Sequence, residues 1–372
     1  MPPAEVLREA ERQMVVCNAC RYCEGFCAVF PAMERRRSFS VGDLTYLANL
    51  CFDCRACYYA CQYAPPHEFA INVPKVFAEL RADTYREYGW PRVLSSLYER
   101  GGRAGGLIGA LCVAAVLLLV VLLQGPAVLF SAQVREGAFY RVVPYLAMVL
   151  PALAMTLYGL AVLVIGTVHF WRDTHGSLGE RLDLRAFLRA TQDAFGLRYL
   201  AGGGDGCNYP DAEFSHGRRR LHHLVFYGFL FDLASTAVAA IYDHFLRRVA
   251  PYPFLSWPVV LGTIGGVMLL MGTSGLLYLK WRSDKEPAER RMVSMDVAFL
   301  ALLLLTSLTG LLLLALRETP AMGTLLVIHL GVVAALFITL PYGKFAHLFY
   351  RYAALIRNSV EERAIDATPR GD

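Results

Sequence analysis

Two short segments of the chain carry the same arrangement of four cysteines, C-x2-C-x2-C-x3-C. The eight residues are Cys17, Cys20, Cys23 and Cys27 in the first segment and Cys51, Cys54, Cys57 and Cys61 in the second. This is the ligand spacing of bacterial two-cluster ferredoxins, in which three close cysteines bind one [4Fe–4S] cluster and the fourth binds the other. The repeat predicts two [4Fe–4S] clusters and a fold that brings both segments side by side.

Crossed ligation also predicts which cysteines belong together. Cluster 1 takes Cys17, Cys20, Cys23 and Cys61, and cluster 2 takes Cys51, Cys54, Cys57 and Cys27. Disulfides fit less well, because cysteines three or four positions apart suit a metal cluster better than bridges between distant strands. A structural zinc site uses four ligands, fewer than the two full sets present here. One departure from the ferredoxin pattern is that Ala28 and Gln62, not proline, follow the fourth cysteines.

Long apolar runs dominate the chain after residue 103. The composition is 56% hydrophobic over 372 residues. Each run reaches the ~20 residues that a helix needs to cross the hydrocarbon core of a bilayer. Six runs are present, at 104–123, 142–170, 224–242, 254–279, 293–316 and 321–343. They predict six transmembrane helices.

The basic residues predict how these helices are oriented. The first twenty residues lack the basic and apolar regions of a signal peptide, so we expect the N-terminal domain to stay in the cytoplasm. Six crossings return the C-terminus to the same side. On this arrangement the cytoplasmic segments hold 31 of the 36 Lys and Arg residues, as the positive-inside rule requires. The expectation is a multi-pass protein of the bacterial cytoplasmic membrane with both termini in the cytoplasm.

The predicted fold class is mainly α. A small ferredoxin-like α-helical domain with two [4Fe–4S] clusters, residues 1–103, precedes a six-helix bundle of cytochrome b type, residues 104–350. A cytoplasmic loop at 171–220 interrupts the bundle, and 351–372 is expected to be a cytoplasmic tail. Spaced leucines predict an amphipathic helix near 178–200 within the loop. Cys207, in the same loop, is expected to be either a small packed residue or a redox group.

Histidines near the ends of the apolar runs are candidate haem ligands, because an ionisable residue in a span is by default a functional candidate. His222 and His223 open the third run, and His347 lies at the matching end of the sixth. Bis-histidine ligation of haem b needs two imidazoles that lie on neighbouring helices at the same depth in the membrane. His222 and His223 point ~100° apart on a helix, so only one of them faces a given iron. His169 is the reserve ligand.

A second haem is a further expectation, built on His329. It lies 18 residues before His347, a whole number of turns and ~27 Å along a continuous helix. His329 would then face the same way near the outer side, where His244 is the other histidine in a span. Lys344, close to His347, is a candidate partner for a haem propionate.

Several segments together resemble the tricarballylate/citrate utilisation protein B family. They are residues 17–31, 65–70, 206–210, 222–229 and 341–347. The resemblance extends from about residue 11 to residue 358. The membrane half also resembles the cytochrome b subunit of respiratory nitrate reductase, although Asp232 and Leu233 stand where a second histidine partner would be expected.

The resemblance implies a redox subunit that serves an FAD-dependent dehydrogenase of tricarballylate or citrate type. Electrons would pass from the flavoprotein through both clusters and haem b to membrane quinone. The chain would be the quinone-reducing component, with the lipid bilayer as its surroundings and no nucleic acid as a partner. Two alternatives remain: an iron–sulfur membrane sensor, which has no need of paired histidines, and a subunit of a heterodisulfide-reductase-like complex, with thiol chemistry at Cys207.

Overall fold

The computed structural model describes residues 2–98, 102–175 and 184–366. These residues form fifteen α-helices and a small two-stranded antiparallel sheet. In chain order the helices are α1 Ala4–Cys20, α2 Val29–Glu34, α3 Val41–Leu50, α4 Ala56–Tyr59, α5 Val73–Tyr88, α6 Arg92–Tyr98, α7 Gly102–Gln124, α8 Ala138–Val142, α9 Tyr145–His175, α10 Leu184–Phe195, α11 Gly217–His244, α12 Trp257–Arg282, α13 Arg290–Leu316, α14 Met322–Thr339 and α15 His347–Asp366. The strands are β1 Cys207–Asn208 and β2 Phe214–Ser215, with Cys207 opposite Ser215.

The N-terminal domain is built from α1 to α6, and polar side chains define where its helices begin. Ser40 Oγ accepts a hydrogen bond from the Asp43 amide at 3.1 Å, and the Asp43 carboxylate accepts one from the Ser40 amide at 3.2 Å. This capping box satisfies two amides that the first turn of α3 leaves unpaired. Asn72 caps α5 in a similar way through the Lys75 amide at 3.2 Å. Both helices are therefore held at fixed positions beside the cysteine segments.

Residues 351–366, the described part of the expected C-terminal tail, belong to the helix α15. This helix packs within the N-terminal domain. Tyr350 stacks on Tyr85 with ring centroids 5.7 Å apart, and Ala354 is fully buried. Glu361 accepts hydrogen bonds from Arg36 at 2.6 Å and from Arg357 at 2.8 Å. Several polar residues of 351–366 thus pair with charges of the N-terminal domain. The cytoplasmic location expected for 351–372 stays a prediction, and 367–372 lie outside the described residues.

Within the described ranges, six helices are long and apolar enough to cross a membrane, so the chain is a multi-pass membrane protein, as the sequence predicted. The spans are Ala104–Gln124, Tyr145–Thr174, Gly217–His244, Trp257–Arg282, Arg290–Leu316 and Met322–Thr339. The sixth ends at Thr339, not at residue 343. Pro341 contributes to the stop, because it has no amide to donate to the carbonyl oxygen four residues earlier, although Leu340 itself keeps helical dihedral angles.

The break after α14 corrects one expectation about the histidines. Residues 344–346 form a 3-10 turn, and α15 starts afresh at His347. His347 therefore lies beyond the sixth span, and His329 and His347 do not share one continuous helix. The whole number of helical turns between the two positions therefore does not place these histidines on one face.

The spans pack side by side, α11 against α12, α12 against α13, α13 against α14, and α14 against α7. Glycines allow α11 and α12 to come close. A Cβ atom added at Gly265 would lie 2.8 Å from the Gly228 carbonyl oxygen, and one at Gly272 would lie 2.9 Å from that of Leu221. Small residues at the contact are the usual means by which membrane helices pack closely. The contact fixes the half of α11 that begins at His222.

The N-terminal domain rests on one end of the bundle. Tyr59 donates to the Asp284 carboxylate at 2.5 Å, and Arg55 donates to the Asp284 carbonyl oxygen at 3.1 Å. On another side, Tyr88 donates to Asp173 at 3.0 Å, close to the end of α9. These contacts lie at the ends of two spans, α9 and α12, and they hold the cysteine segments above the membrane part.

The helix α10 lies within 178–200, where an amphipathic helix was predicted. The first residues of that range, 178–183, lie outside the described residues. Its inner face meets α15, where Thr191 and Tyr352 share a hydrogen bond of 2.7 Å. Its apolar outer face stays exposed, with Leu184 69% and Leu188 51% accessible. An amphipathic helix with such a face is suited to the membrane surface.

Candidate functional site

A cavity of about 230 Å³ lies among the cysteines at the end of α1. Cys17 and Cys20 come from the last turn of that helix. Arg21 then adopts a left-handed conformation, φ 56°, and turns the chain back so that Cys23 also faces the cavity. Cys61, which follows α4, and Cys57 complete the set of sulfurs. We call this cavity site 1.

A second cavity, site 2, lies deeper in the N-terminal domain. It is lined by Cys27, Cys51, Cys54 and Cys57. Cys51 ends α3, and the following segment turns sharply because Asp53 and Arg55 both have positive φ, 55° and 66°. Cys51 and Cys54 are buried, whereas the cysteines of site 1 are half-buried.

The structure thus brings the fourth cysteine of each motif to the other motif. Cys61 lies with Cys17, Cys20 and Cys23, and Cys27 lies with Cys51 and Cys54. This is the grouping that crossed ligation requires. Cys57 lines both cavities, which places the two sites next to each other. Ligation of iron by these residues stays a prediction.

Burial makes the thiols of both sites hard to ionise. It raises the pKa of Cys17 and Cys23 to about 12, and the charges of neighbouring cysteines add to the shift. Burial likewise raises the pKa of Cys27 and Cys57, again reinforced by facing cysteines. A coordinated metal deprotonates a thiol outright and supplies the missing positive charge. Crowded buried cysteines of this kind therefore fit a metal cluster better than free thiols.

In the described ranges, no three His, Cys, Asp or Glu side chains converge closely enough to hold a single metal ion. The cysteines surround cavities instead of a common point. The sulfur ligands of a polynuclear cluster bind different iron atoms and stand farther apart than those of one ion.

Arginines surround the Cys51–Cys54 segment of site 2. Arg351 donates to the Cys51 carbonyl oxygen at 2.7 Å, and its guanidinium lies 4.4 Å from the centre of the Phe52 ring. Arg81 donates to the Ala48 carbonyl oxygen at 3.0 Å. Arg218, from α11, donates to the Asp53 carbonyl oxygen. Four thiolates on an iron–sulfur cubane leave a net negative charge, which these cations would balance.

Cys207 lies against site 2, a position that its sequence context did not reveal. It is fully buried, and its Sγ donates to the Leu200 carbonyl oxygen at 3.3 Å. The next amide, of Asn208, donates to the Cys54 carbonyl oxygen at 3.1 Å. A hydrogen bond between the two sulfurs lowers the pKa of Cys207 and raises that of Cys54. Metal coordination at Cys54 would reverse these roles, because a ligand thiol is deprotonated.

The histidines of α11 and α15 form one close pair. The ring centroids of His222 and His347 lie 6.2 Å apart, with an angle of 80° between the ring planes. His347 Nδ1 bonds the Lys344 carbonyl oxygen at 2.5 Å, so its Nε2 stays available. The buried Nδ1 of His222 has no protein partner within the described residues. Burial lowers the pKa of His347 well below its usual range, so this imidazole is neutral, as a metal ligand must be.

The other predicted candidates at this end of the bundle do not join the pair. His223 faces Tyr227, with ring centroids 5.8 Å apart. The angular offset between neighbouring residues on a helix accounts for this difference from His222. His169 lies exposed on α9.

At the far end of the bundle, the structure does not bring His329 and His244 together. His329 Nδ1 and Thr309 Oγ1 lie 3.0 Å apart, and the ring of His329 covers Gly310. His244 instead shares a hydrogen bond of 2.9 Å with the Tyr145 hydroxyl. A second histidine pair for a second haem is thus absent from the described contacts.

Lys344 has a protein partner that the sequence did not reveal. Its Nζ lies 2.8 Å from Asp296 Oδ1, and Lys280 donates to Oδ2 of the same carboxylate at 2.6 Å. Burial lowers the pKa of Lys344 to about 8, although Asp296 opposes the shift. A propionate at Lys344 would have to compete with Asp296.

Known proteins resemble almost the whole chain. The family model for the Fer4-like domain of citrate utilization protein B matches residues 10–87, and that for citrate utilization protein B matches residues 100–368. The citrate utilization protein B of Escherichia coli is 49% identical over 356 residues, which cover 95% of this chain and 92% of that protein. No solved structure matches. With a Fer4-like domain before six spans, the chain belongs to the citrate utilization protein B family.

Proposed function

We propose that this protein carries electrons from a flavoprotein dehydrogenase that oxidises citrate, tricarballylate or a related tricarboxylate to quinone in the bacterial cytoplasmic membrane. The main support for the proposal is that the candidate cofactor sites of the protein lie next to one another. Site 1 adjoins site 2 through Cys57, and site 2 adjoins the His222–His347 pair through Arg351, one helical turn after His347. Cofactors held at these places would form a continuous route.

When bound, two [4Fe–4S] clusters and haem b supply one-electron carriage between a two-electron donor and a two-electron acceptor. The chain's own part is to hold them. The two crossed sets of cysteines would ligate the clusters at sites 1 and 2. Reduction of a quinone to a quinol takes two electrons and two protons. Because each centre would carry one electron at a time, each quinol formed needs two successive one-electron transfers.

The geometry of the histidine pair supports the haem. A metal ion that bound one nitrogen of each imidazole at about 2.0 Å would hold the ring centroids at most ~6.4 Å apart. The measured separation is 6.2 Å. The hydrogen bond from His347 Nδ1 to a backbone carbonyl is the usual way in which a protein orients a ligating histidine. His222 and His347 are therefore the proposed ligands, and His223, His169 and His329 are not.

Site 1 is the proposed entry for electrons. Tyr22, which lines it, is 70% exposed, whereas Cys51 and Cys54 of site 2 are buried. A soluble flavoprotein would reach site 1 first. The basic residues at this end of the bundle support a cytoplasmic position for the N-terminal domain.

The position of Cys207 gives the thiol-chemistry alternative a specific basis, because this buried residue adjoins Cys54, whose carbonyl oxygen accepts a hydrogen bond from the Asn208 amide at 3.1 Å. Cys207→Ala discriminates between the two functions. If Cys207 performs thiol chemistry, the variant loses electron transfer to quinone while its cluster and haem spectra persist. If the protein is a simple relay, transfer continues.

Purified protein tests the proposal directly. The expected composition is about eight irons in clusters, with one more in haem. Dithionite should bleach the broad cluster absorbance and sharpen the bands of a b-type haem. Membrane vesicles that contain the protein and its reduced flavoprotein donor should then reduce quinone. Wild-type protein that binds clusters but neither haem nor quinone would refute the relay.

A further inference from the structure

Each histidine of the pair has an arginine four residues away on its own helix. Arg218 precedes His222 by four residues on α11, and Arg351 follows His347 by four residues on α15. Residues four apart lie on the same face of a helix, one turn from each other. Each helix thus presents a histidine and an arginine side by side.

Both arginines reach the same short segment of site 2. Arg351 donates through Nη2 to the Cys51 carbonyl oxygen at 2.7 Å, and Arg218 donates to the Asp53 carbonyl oxygen. The Cys51–Cys54 segment is therefore held from two sides by the helices that carry His222 and His347. The distance between site 2 and the histidine pair is fixed by these contacts, because the segment cannot shift without breaking one of them.

The charges at the two sites differ. The described lining of site 1 contains no charged residue. Site 2 has Arg55 in its lining, with Arg218 and Arg351 on its backbone, so three cations stand against one carboxylate in the same segment, that of Asp53. The nearby carboxylate of Asp296 already pairs with Lys280 and Lys344. Net charge, hydrogen bonding and solvent exposure set the potential of an iron–sulfur cluster. Burial alone would disfavour the added negative charge of a reduced cluster at site 2, and the arginines oppose this effect.

We propose that Arg218 and Arg351 are paired positioning residues that hold site 2 against the His222–His347 pair and raise the reduction potential of its cluster, making site 2 the exit centre. One electron leaves the cluster at site 1, which is oxidised, and reduces the cluster at site 2. No bond forms or breaks, and no proton moves. The inference rests on the proposed function, since it requires a cluster at each site.

Potentiometric titration of the purified full-length protein, followed by electron paramagnetic resonance, tests the proposal. Arg218→Gln and Arg351→Gln should each shift the site 2 midpoint to lower potential and leave that of site 1 unchanged. The expected shift corresponds to a tenfold change in the equilibrium constant for electron transfer between the two clusters, about 59 mV for one electron. Arg220→Gln, an exposed neighbour on α11, is the matched control and should match the wild type.

The lysine variants keep the test open where a glutamine variant fails to bind its clusters. Arg218→Lys and Arg351→Lys retain the charge. Each should shift the site 2 midpoint potential by less than half as much as the corresponding glutamine variant. If all variants that bind both clusters keep the wild-type site 2 potential, the role of the arginines is overturned while the relay stands. If the wild type itself has no second cluster signal, the proposed function fails first.

Discussion

His222 on α11 and His347 at the start of α15 face each other, with ring centroids 6.2 Å apart and nearly perpendicular ring planes. The pair joins the membrane bundle to the helix that completes the N-terminal domain. Each histidine is one turn from an arginine bound to the Cys51–Cys54 segment. Any displacement of α15 relative to α11 would therefore change the histidine pair and site 2 together.

Replacing either member of the pair should remove the haem. His222→Ala and His347→Ala each remove one of two ligands, so they are expected to lower haem affinity by more than the ~10–100-fold that loss of a ligand's hydrogen-bond partner costs. Haem content per protein and the reduced b-type bands measure the effect. His67→Ala, in the N-terminal domain, is the control and should retain haem. Loss of haem in His223→Ala, with retention in His222→Ala, would contradict the assignment.

Crossed ligation predicts a counterintuitive result for the fourth cysteines. Cys27→Ser should damage the cluster at site 2, although Cys27 belongs to the first motif, and Cys61→Ser should damage that at site 1. Resonance spectra of the reduced variants would show which signal is lost. Cys112→Ser, within the first span and far from both cavities, serves as control. If Cys27→Ser instead damaged the cluster at site 1, and Cys61→Ser that at site 2, the ligation would be uncrossed.

The contact of α15 with the N-terminal domain should weaken in acid. Burial raises the pKa of Glu361, but hydrogen bonds and charge from Arg36 and Arg357 outweigh this effect and bring it below the ordinary value of 4.5. Because the folded pKa is the lower one, the stabilisation is complete above pH 4.5 and disappears as the pH falls through the folded pKa. Thermal melting of the purified protein between pH 7 and pH 3 measures this dependence.

Glu361→Gln should remove part of that pH dependence and lower stability at pH 7 by about 3 kcal/mol, the low end for a broken buried ion pair, because Asp43 still pairs with both arginines. Glu5→Gln, exposed on α1, is the control. Equal melting of the Glu361 variant and the wild type at pH 7 would show that the network adds nothing to stability.

The close packing of α11 on α12 gives a prediction within the membrane. Gly265→Ala places a Cβ 2.8 Å from the Gly228 carbonyl oxygen, so the helices must separate, at a cost of about 1–3 kcal/mol. The displacement of α11 should also reduce haem content through His222. Gly109→Ala on α7, where a Cβ would meet nothing within 4 Å, should be tolerated. Indistinguishable stability and haem content in the two variants would argue against a role for this contact.

The sequence predicted those parts of the structure that depend on local patterns. Cysteine spacing indicated two adjacent sites, and uninterrupted apolar runs indicated six spans. It did not reveal the pairing of Lys344 with Asp296, since that contact joins residues far apart in the chain. The break at Pro341 was overlooked because the apolar run continues beyond it. The docking of α15 depends on charge partners such as Glu361 and Arg36, whose proximity no local pattern encodes.

The position of α15 has a consequence for how the protein is made. The ribosome completes this helix only after all six spans have been synthesised, yet Tyr350 and Ala354 fill the interior of a domain that was translated first. Until then the surface around Tyr85 remains uncovered. Maturation of the N-terminal domain is thereby tied to insertion of the whole chain, and a truncated product, lacking its last helix, would present an unfinished core to cellular proteases.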